Sequence, residues 1–126
     1  MRITIGPYPD DGTDDRIESI HIDQYDTWSM DCTLALIIAP MLKQLKESTH
    51  GAPFTDNEDV PEELRSETDT LGLGDTHFQK WDWILDEMIW AFSNYNDIKF
   101  ECTSERWDRV SNGLRLFGKY YPGLWD

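Results

Sequence analysis

The sequence contains little cysteine, few basic side chains and no long apolar run. Cys32 and Cys102 are its two cysteines, which is too few for a disulfide scaffold. No apolar stretch approaches the roughly 20 residues that span a bilayer, and residues 1–15 lack the basic and then apolar profile of a signal peptide. These absences predict a soluble cytosolic protein with no membrane partner.

The shortage of basic residues gives the chain a strong negative charge. Eleven Lys and Arg stand against 25 Asp and Glu, for a net charge of −14 at pH 7. Residues 50–97 carry a net −10, whereas residues 98–126 carry +1. Such a field repels a phosphate backbone, so no direct contact with nucleic acid is expected. It favours a basic protein partner, a cation site, or simple solubility.

Apolar and aromatic residues are plentiful enough for a packed core. Of the 126 residues, 39% are hydrophobic, and the chain has six Trp, five Tyr and five Phe. Disordered chains lack such aromatics, and this length suits one domain, residues 1–126. Residues 2–5 and 16–22 are rich in β-branched side chains around a turn-forming stretch, which predicts a hairpin within a β element over 1–28.

Three amphipathic segments predict helices. They are helix one over 29–50, helix two over 77–97 and helix three over 104–121, with an acidic connection over 51–76. The fold class is therefore mainly α, a three-helix core with a small N-terminal β-hairpin (α+β). The predicted core stripe of helix one consists of Leu34, Ile37, Ile38, Met41, Leu42 and Leu45.

Other residues refine this prediction. Pro40 should kink helix one. Pro61 favours a short helical turn that starts at this proline. The stripe of helix two is predicted as Phe78, Trp81, Leu85, Met88, Ile89 and Phe92. Leu124 and Trp125 are expected to dock back on the body of the protein.

Acidic residues at helical spacing raise the question of a cation. Asp82 and Asp86 are four residues apart, so both carboxylates project from one side of helix two, where like charges repel. The compensating cation is either a metal ion or an arginine of helix three. A metal site would draw on Asp31, Cys32 and His77 if helix one crosses the start of helix two.

Two groups of carboxylates also leave a metal-dependent nucleotide hydrolase open as an alternative. The groups are Glu58, Asp59, Glu62 and Glu63, and Asp82, Asp86 and Glu87. Pro61 interrupts the first group, however, and breaks the rigid pair of helices that such a site needs. We therefore assign no catalytic residue, expect no cofactor and do not expect an enzyme.

The tryptophans exceed what the predicted core needs. Trp81 and Trp107 lie on apolar stripes, but Trp83 and Trp90 lie off the centre of theirs. An interface with another protein or a second copy would explain them, and so would a ligand pocket lined by indoles. In the second case the protein is a sponge for a small nucleotide signal, with phosphates neutralised by Arg106, Arg109, Arg115 or Lys119.

Four segments carry a resemblance to a known family. They are YDTWSMDCTLALIIAPMLKQLKESTHGAP (25–53), DNEDVPEELRS (56–66), FQKWDWILDEMIWAF (78–92) and NGLRLFGKYYPGLWD (112–126). Together they cover more than half of the chain and resemble small uncharacterised proteins encoded by large tailed bacteriophages. The family pattern has His where this chain has Cys32, a departure that weakens any histidine-dependent mechanism here. The resemblance implies a protein that acts on host factors in the host cytoplasm.

These observations predict a phage-encoded, non-enzymatic accessory protein that binds and inhibits a host protein, in anti-defence or host takeover. Its partner has a basic surface, and homo-oligomers are also possible. The predicted binding surface is acidic and contains tryptophan. It comprises Asp56, Glu58, Asp59, Glu62, Glu63, Asp82, Trp83, Asp86, Glu87 and Trp90.

Overall fold

The fold is mainly helical, with a two-stranded hairpin at the N-terminus, and this confirms the predicted fold class. The computed structural model describes residues 1–8, 12, 16, 18–66, 76–101 and 103–125. Its elements are β1 (Arg2–Ile5), β2 (Glu18–His21), α1 (Met30–Ser48), α2 (His77–Ile98) and α3 (Glu105–Tyr120). Short 3-10 turns lie at Gln24–Thr27, Asn57–Asp59, Glu62–Leu64 and Tyr121–Gly123.

The chain divides into two compact units, Met1–Thr33 and Leu34–Asp126. In the first, β1 and β2 pair antiparallel, with Ile3 opposite Ile20. The strands are followed by a turn in which Asp23 and Asp26 form a reciprocal capping box. The terminal ammonium of Met1 lies 3.0 Å from the Asp26 carboxylate, and these contacts hold the pKa of Asp26 below its usual value.

The core of the second unit is built around α2. Large apolar residues of α2 and α3 are fully or almost fully buried there: Trp81, Ile84, Leu85, Met88, Leu116 and Tyr120. The two helices approach closely at Gly113, where a Cβ would lie within 2.8 Å of the Glu87 carbonyl oxygen and would collide with the Ala91 side chain. Glycine is required at this crossing because no side chain fits between the helices.

The buried face of α1 matches the predicted stripe only in part, because Leu42 is buried and Ile38 and Leu45 pack partly buried against the core. Ala35, Ala39 and Leu42 are buried against the core, whereas Leu34 and Met41 are exposed. The alanines lie next to the predicted stripe on the helix surface, and their small side chains let α1 approach the core closely. Leu34 and Met41 are thereby turned away from the contact. Pro40 lies inside α1 on its exposed side.

Other local predictions met mixed outcomes. The turn after Pro61 is confirmed at Glu62–Leu64, and α3 begins after Ser104, whose hydroxyl accepts from the Trp107 N–H. Phe78 was wrongly placed in the core, because it lies on the exposed side of α2. At the C-terminus Leu124 packs against the core as predicted, but Trp125 is exposed. Within the ranges given above, no helix combines the length and apolar character needed to cross a membrane.

Candidate functional site

The acidic segment at 56–59 is paired with the last turns of α3. Asp59 is almost completely buried, and its carboxylate receives three donors from α3. Lys119 Nζ and the Tyr120 hydroxyl each lie 2.6 Å from Asp59 Oδ2, and an Arg115 guanidinium nitrogen lies 2.8 Å from Oδ1. The Tyr120 oxygen also accepts from the backbone N–H of Asp56, at 2.9 Å. This carboxylate therefore fixes the connection between α1 and α2 onto α3.

The pKa values of these groups follow from their contacts. Burial raises the pKa of Asp59, but the hydrogen bonds from Lys119, Tyr120 and Arg115 outweigh burial and hold it below the ordinary value. Burial and the bond to Asp59 raise the pKa of Tyr120 to about 12. The contacts with Asp56 and Asp59 raise the pKa of Lys119. At neutral pH Asp59 is ionised, and Lys119 and Tyr120 are protonated.

Asp56, Glu58 and Asp59 could in principle hold a metal ion. One oxygen of each lies within 4.8 Å of the others, and in the part of the chain that is described no other group of three candidate ligands is this close. The Lys119 ammonium already lies among them, 2.7 Å from Asp56 and 3.4 Å from Glu58. A lysine thus supplies the cation that these carboxylates need, and the cluster is a structural ion-pair network.

A second set of ion pairs involves α2. Arg109 of α3 forms a two-point contact with Glu87, at 3.1 and 2.7 Å, and its guanidinium carbon lies 4.0 Å from the centre of the Trp90 ring. Glu87 is buried, whereas Arg109 is half-exposed. Lys46 of α1 pairs with Asp86. Asp86 is therefore compensated by a lysine of α1 and not by an arginine of α3, whose Arg109 pairs with Glu87 instead.

The predicted acidic surface is only partly available. Asp59 and Glu87 are buried in internal ion pairs, so they cannot meet a partner directly. Asp56, Glu58 and Asp86 are exposed but share lysines of this chain. Among the described residues no ion pair involves Glu62, Glu63 or Asp82, which remain exposed. Trp83 packs half-buried against the core, and Trp90 is half-buried beside Arg109.

The cations named for the nucleotide alternative are also engaged within the chain. Arg115 and Lys119 contact Asp59, and Arg109 contacts Glu87. Arg106 lies 3.6 Å from a Glu101 oxygen. A nucleotide phosphate would have to compete with these carboxylates.

The predicted metal ligands are divided between the two units. Asp31 and Cys32 belong to the first, where Cys32 is half-buried, and His77 belongs to the second. His77 is buried, and its Nε2 lies 3.0 Å from the Ala52 carbonyl oxygen, which fixes the ring. Cys102 and residues 67–75 of the predicted connection lie outside the described residues.

An apolar groove lies between α1 and the C-terminal end of α3. Its volume is about 520 Å³, and seven uncharged residues line it: Ile38, Met41, Leu42, Leu45, Phe117, Tyr121 and Leu124. Leu42 forms the floor because it is buried in the core. Met41 and Tyr121 lie at the rim and keep 67% and 64% of their surface exposed.

The sequence did contain a sign of this groove. Leu34, Ile38, Met41 and Leu45 are spaced four, three and four apart, the spacing of a coiled-coil seam. Ala35, Ala39 and Leu42 follow the same rhythm one position later. Two neighbouring apolar faces on one helix indicate that the helix makes two contacts. The core of this unit buries the face with Ala35, Ala39 and Leu42, and residues of the other face line the groove.

Comparisons with known proteins found no similar one. No family model matches the chain, and searches of curated proteins and of solved structures returned no match either.

Proposed function

We propose that the protein is a non-enzymatic binding protein that holds a basic partner protein on the apolar groove. The observation that carries this proposal is the open groove itself, with its buried floor and its exposed rim at Met41 and Tyr121. Large exposed apolar side chains gathered in one concave site are typical of surfaces that bind proteins. Single exposed apolar residues are common, but a lined groove is not.

The state of the charged residues supports binding over catalysis. A general base or a metal ligand needs a carboxylate that can meet a substrate or an ion. The buried carboxylates described above, Asp59 and Glu87, instead accept hydrogen bonds from lysine, arginine and tyrosine of this chain. Their role is to hold α3 and its neighbouring segments together.

The net charge defines the class of partner. At −14 the chain attracts positively charged proteins from a distance, and exposed acidic residues speed such encounters without contributing much affinity. In this proposal Glu62, Glu63 and Asp82 act in steering, and the groove supplies the contact energy. The resemblance to phage-encoded proteins makes a host protein in the host cytoplasm the proposed target, with inhibition as the outcome.

Affinity capture with two matched variants tests the proposal. Met41→Glu places a charge at the groove rim, whereas Leu36→Glu makes the same change on α1 outside the groove lining, at 69% exposure. We expect proteins captured from host lysate by the wild type to be lost with Met41→Glu and kept with Leu36→Glu. Circular dichroism should show both variants folded. Equal capture by all three proteins contradicts a role for the groove.

A further inference from the structure

Building on the proposed function, we propose that the occupant of the groove is a positively charged amphipathic α-helix of the partner. The groove has the form that such a helix needs. One wall is the ridge of Ile38, Met41 and Leu45 on α1. The other is formed by Phe117 of α3 and by Tyr121 and Leu124, which follow α3. A third helix can pack its apolar stripe between two helical ridges, by the same packing that builds helical bundles.

Gly118 points to a close approach of another backbone. It lies inside α3 next to Phe117, it is exposed, and a Cβ built on it meets no atom within 4 Å. Glycine inside a helix lowers helix stability relative to alanine. Gly113 and Gly123 have a reason within the chain, because a Cβ on them would press on Glu87 and Pro53. Gly118 has no such reason within the described residues, and a partner helix lying against α3 would supply one.

The negative charge of the protein favours a partner helix that is positively charged. All seven lining residues are uncharged, so the groove itself accepts the apolar face of any helix. The unit that contains the groove carries an excess of negative charge, because residues 34–126 include 17 acids and 9 bases. Lysines and arginines on the polar face of the partner helix complement this field. A second copy of the chain carries the same −14 charge and is repelled.

The test uses two designed helical peptides that share one leucine face and differ in their polar face, lysine in one and glutamate in the other. We expect the lysine peptide to bind the full chain at least about tenfold more tightly than the glutamate peptide, measured by fluorescence anisotropy. Met41→Glu should weaken the binding of the lysine peptide about tenfold more than Leu36→Glu does, although both substitutions add one negative charge. Equal affinities for the two peptides overturn the charge inference. Equal effects of the two variants overturn the location in the groove.

Gly118→Ala tests the approach of the helix to α3. Alanine should raise the melting temperature of the free protein, because it favours the helix and meets open space. It should also weaken the binding of the lysine peptide by about tenfold, because the methyl group of alanine keeps the peptide backbone away from α3. A higher melting temperature with unchanged affinity overturns this approach.

Two further outcomes separate this inference from the proposed function. If neither peptide binds while capture from lysate still depends on Met41, the helix inference fails and the binding function stands. If the wild type sediments as a dimer and Met41→Glu as a monomer, the groove binds a second copy and the inference of a basic partner helix is overturned.

Discussion

The two faces of α3 differ in how completely the chain itself provides their partners. Arg109, Arg115 and Lys119 all reach carboxylates of the same chain, on α2 or in the segment 56–59. Phe117 of α3 and Tyr121, the residue after its end, have ring centres 5.6 Å apart in an edge-to-face contact, and both border an open groove. The basic face is thus used in folding, whereas part of the apolar face borders an open groove.

This difference shows that a surplus of acidic residues does not by itself identify a surface that is open to other molecules. A buried carboxylate needs partners, and three donors from α3 meet the need of Asp59. Apolar side chains at the rim of a groove need no polar partner, because their exposure to water costs only a modest free energy. An open apolar site therefore persists in the folded chain where an open buried charge would not.

The largest expected effect on stability comes from comparing the two glycines inside α3, Gly113 and Gly118. Gly113→Ala should lower the free energy of unfolding by about 3 kcal/mol, because the new methyl group collides with Ala91 and with the backbone of Glu87. Gly118→Ala should raise it by about 0.5–1 kcal/mol, because alanine favours the helix and space is open there. Urea unfolding of both variants measures this difference. Changes of the same sign would contradict the packing of α3 described above.

Asp59→Asn tests whether the charged face supports the fold. The free energy of unfolding should fall by about 2 kcal/mol at neutral pH, because Arg115 and Lys119 lose the negative charge that they contact. The folded pKa of Asp59 lies below its unfolded value, so its contribution is present above about pH 4 and is lost as the pH falls through the folded pKa. The difference between wild type and variant should therefore shrink in acid. Denaturant unfolding at a series of pH values measures it, and a constant difference would contradict the ion pair.

Lys46→Gln should have the smallest effect. Lys46 and Asp86 are both partly exposed, and such pairs contribute about 0.5 kcal/mol or less, with water and salt screening the rest. Urea unfolding at low and at high salt should show that the small loss disappears in high salt. A loss as large as that of Asp59→Asn would place this pair among the buried contacts instead.

Local features could be predicted from the sequence because they depend on neighbouring residues. The hairpin, the three helices and the turn after Pro61 follow from turn-forming residues, apolar periodicity and proline geometry over short distances. The orientation of α1 could be predicted only in part, because two adjacent apolar faces compete for the core and only Leu42 of the predicted stripe is fully buried. The packing volume of α2 and α3 favours the face with Ala35 and Ala39.

The ion pairs were equally hidden from the sequence. Lys119 and Tyr120 meet Asp59 across a separation of 60 and 61 residues, and no pattern along the chain shows which acids and bases will come together. The sequence alone therefore determined the elements and the total charge, since these depend on local chemistry and composition. Only the tertiary structure decided which charges are neutralised within the chain and which apolar face stays open, because both depend on the packing of helices distant in sequence.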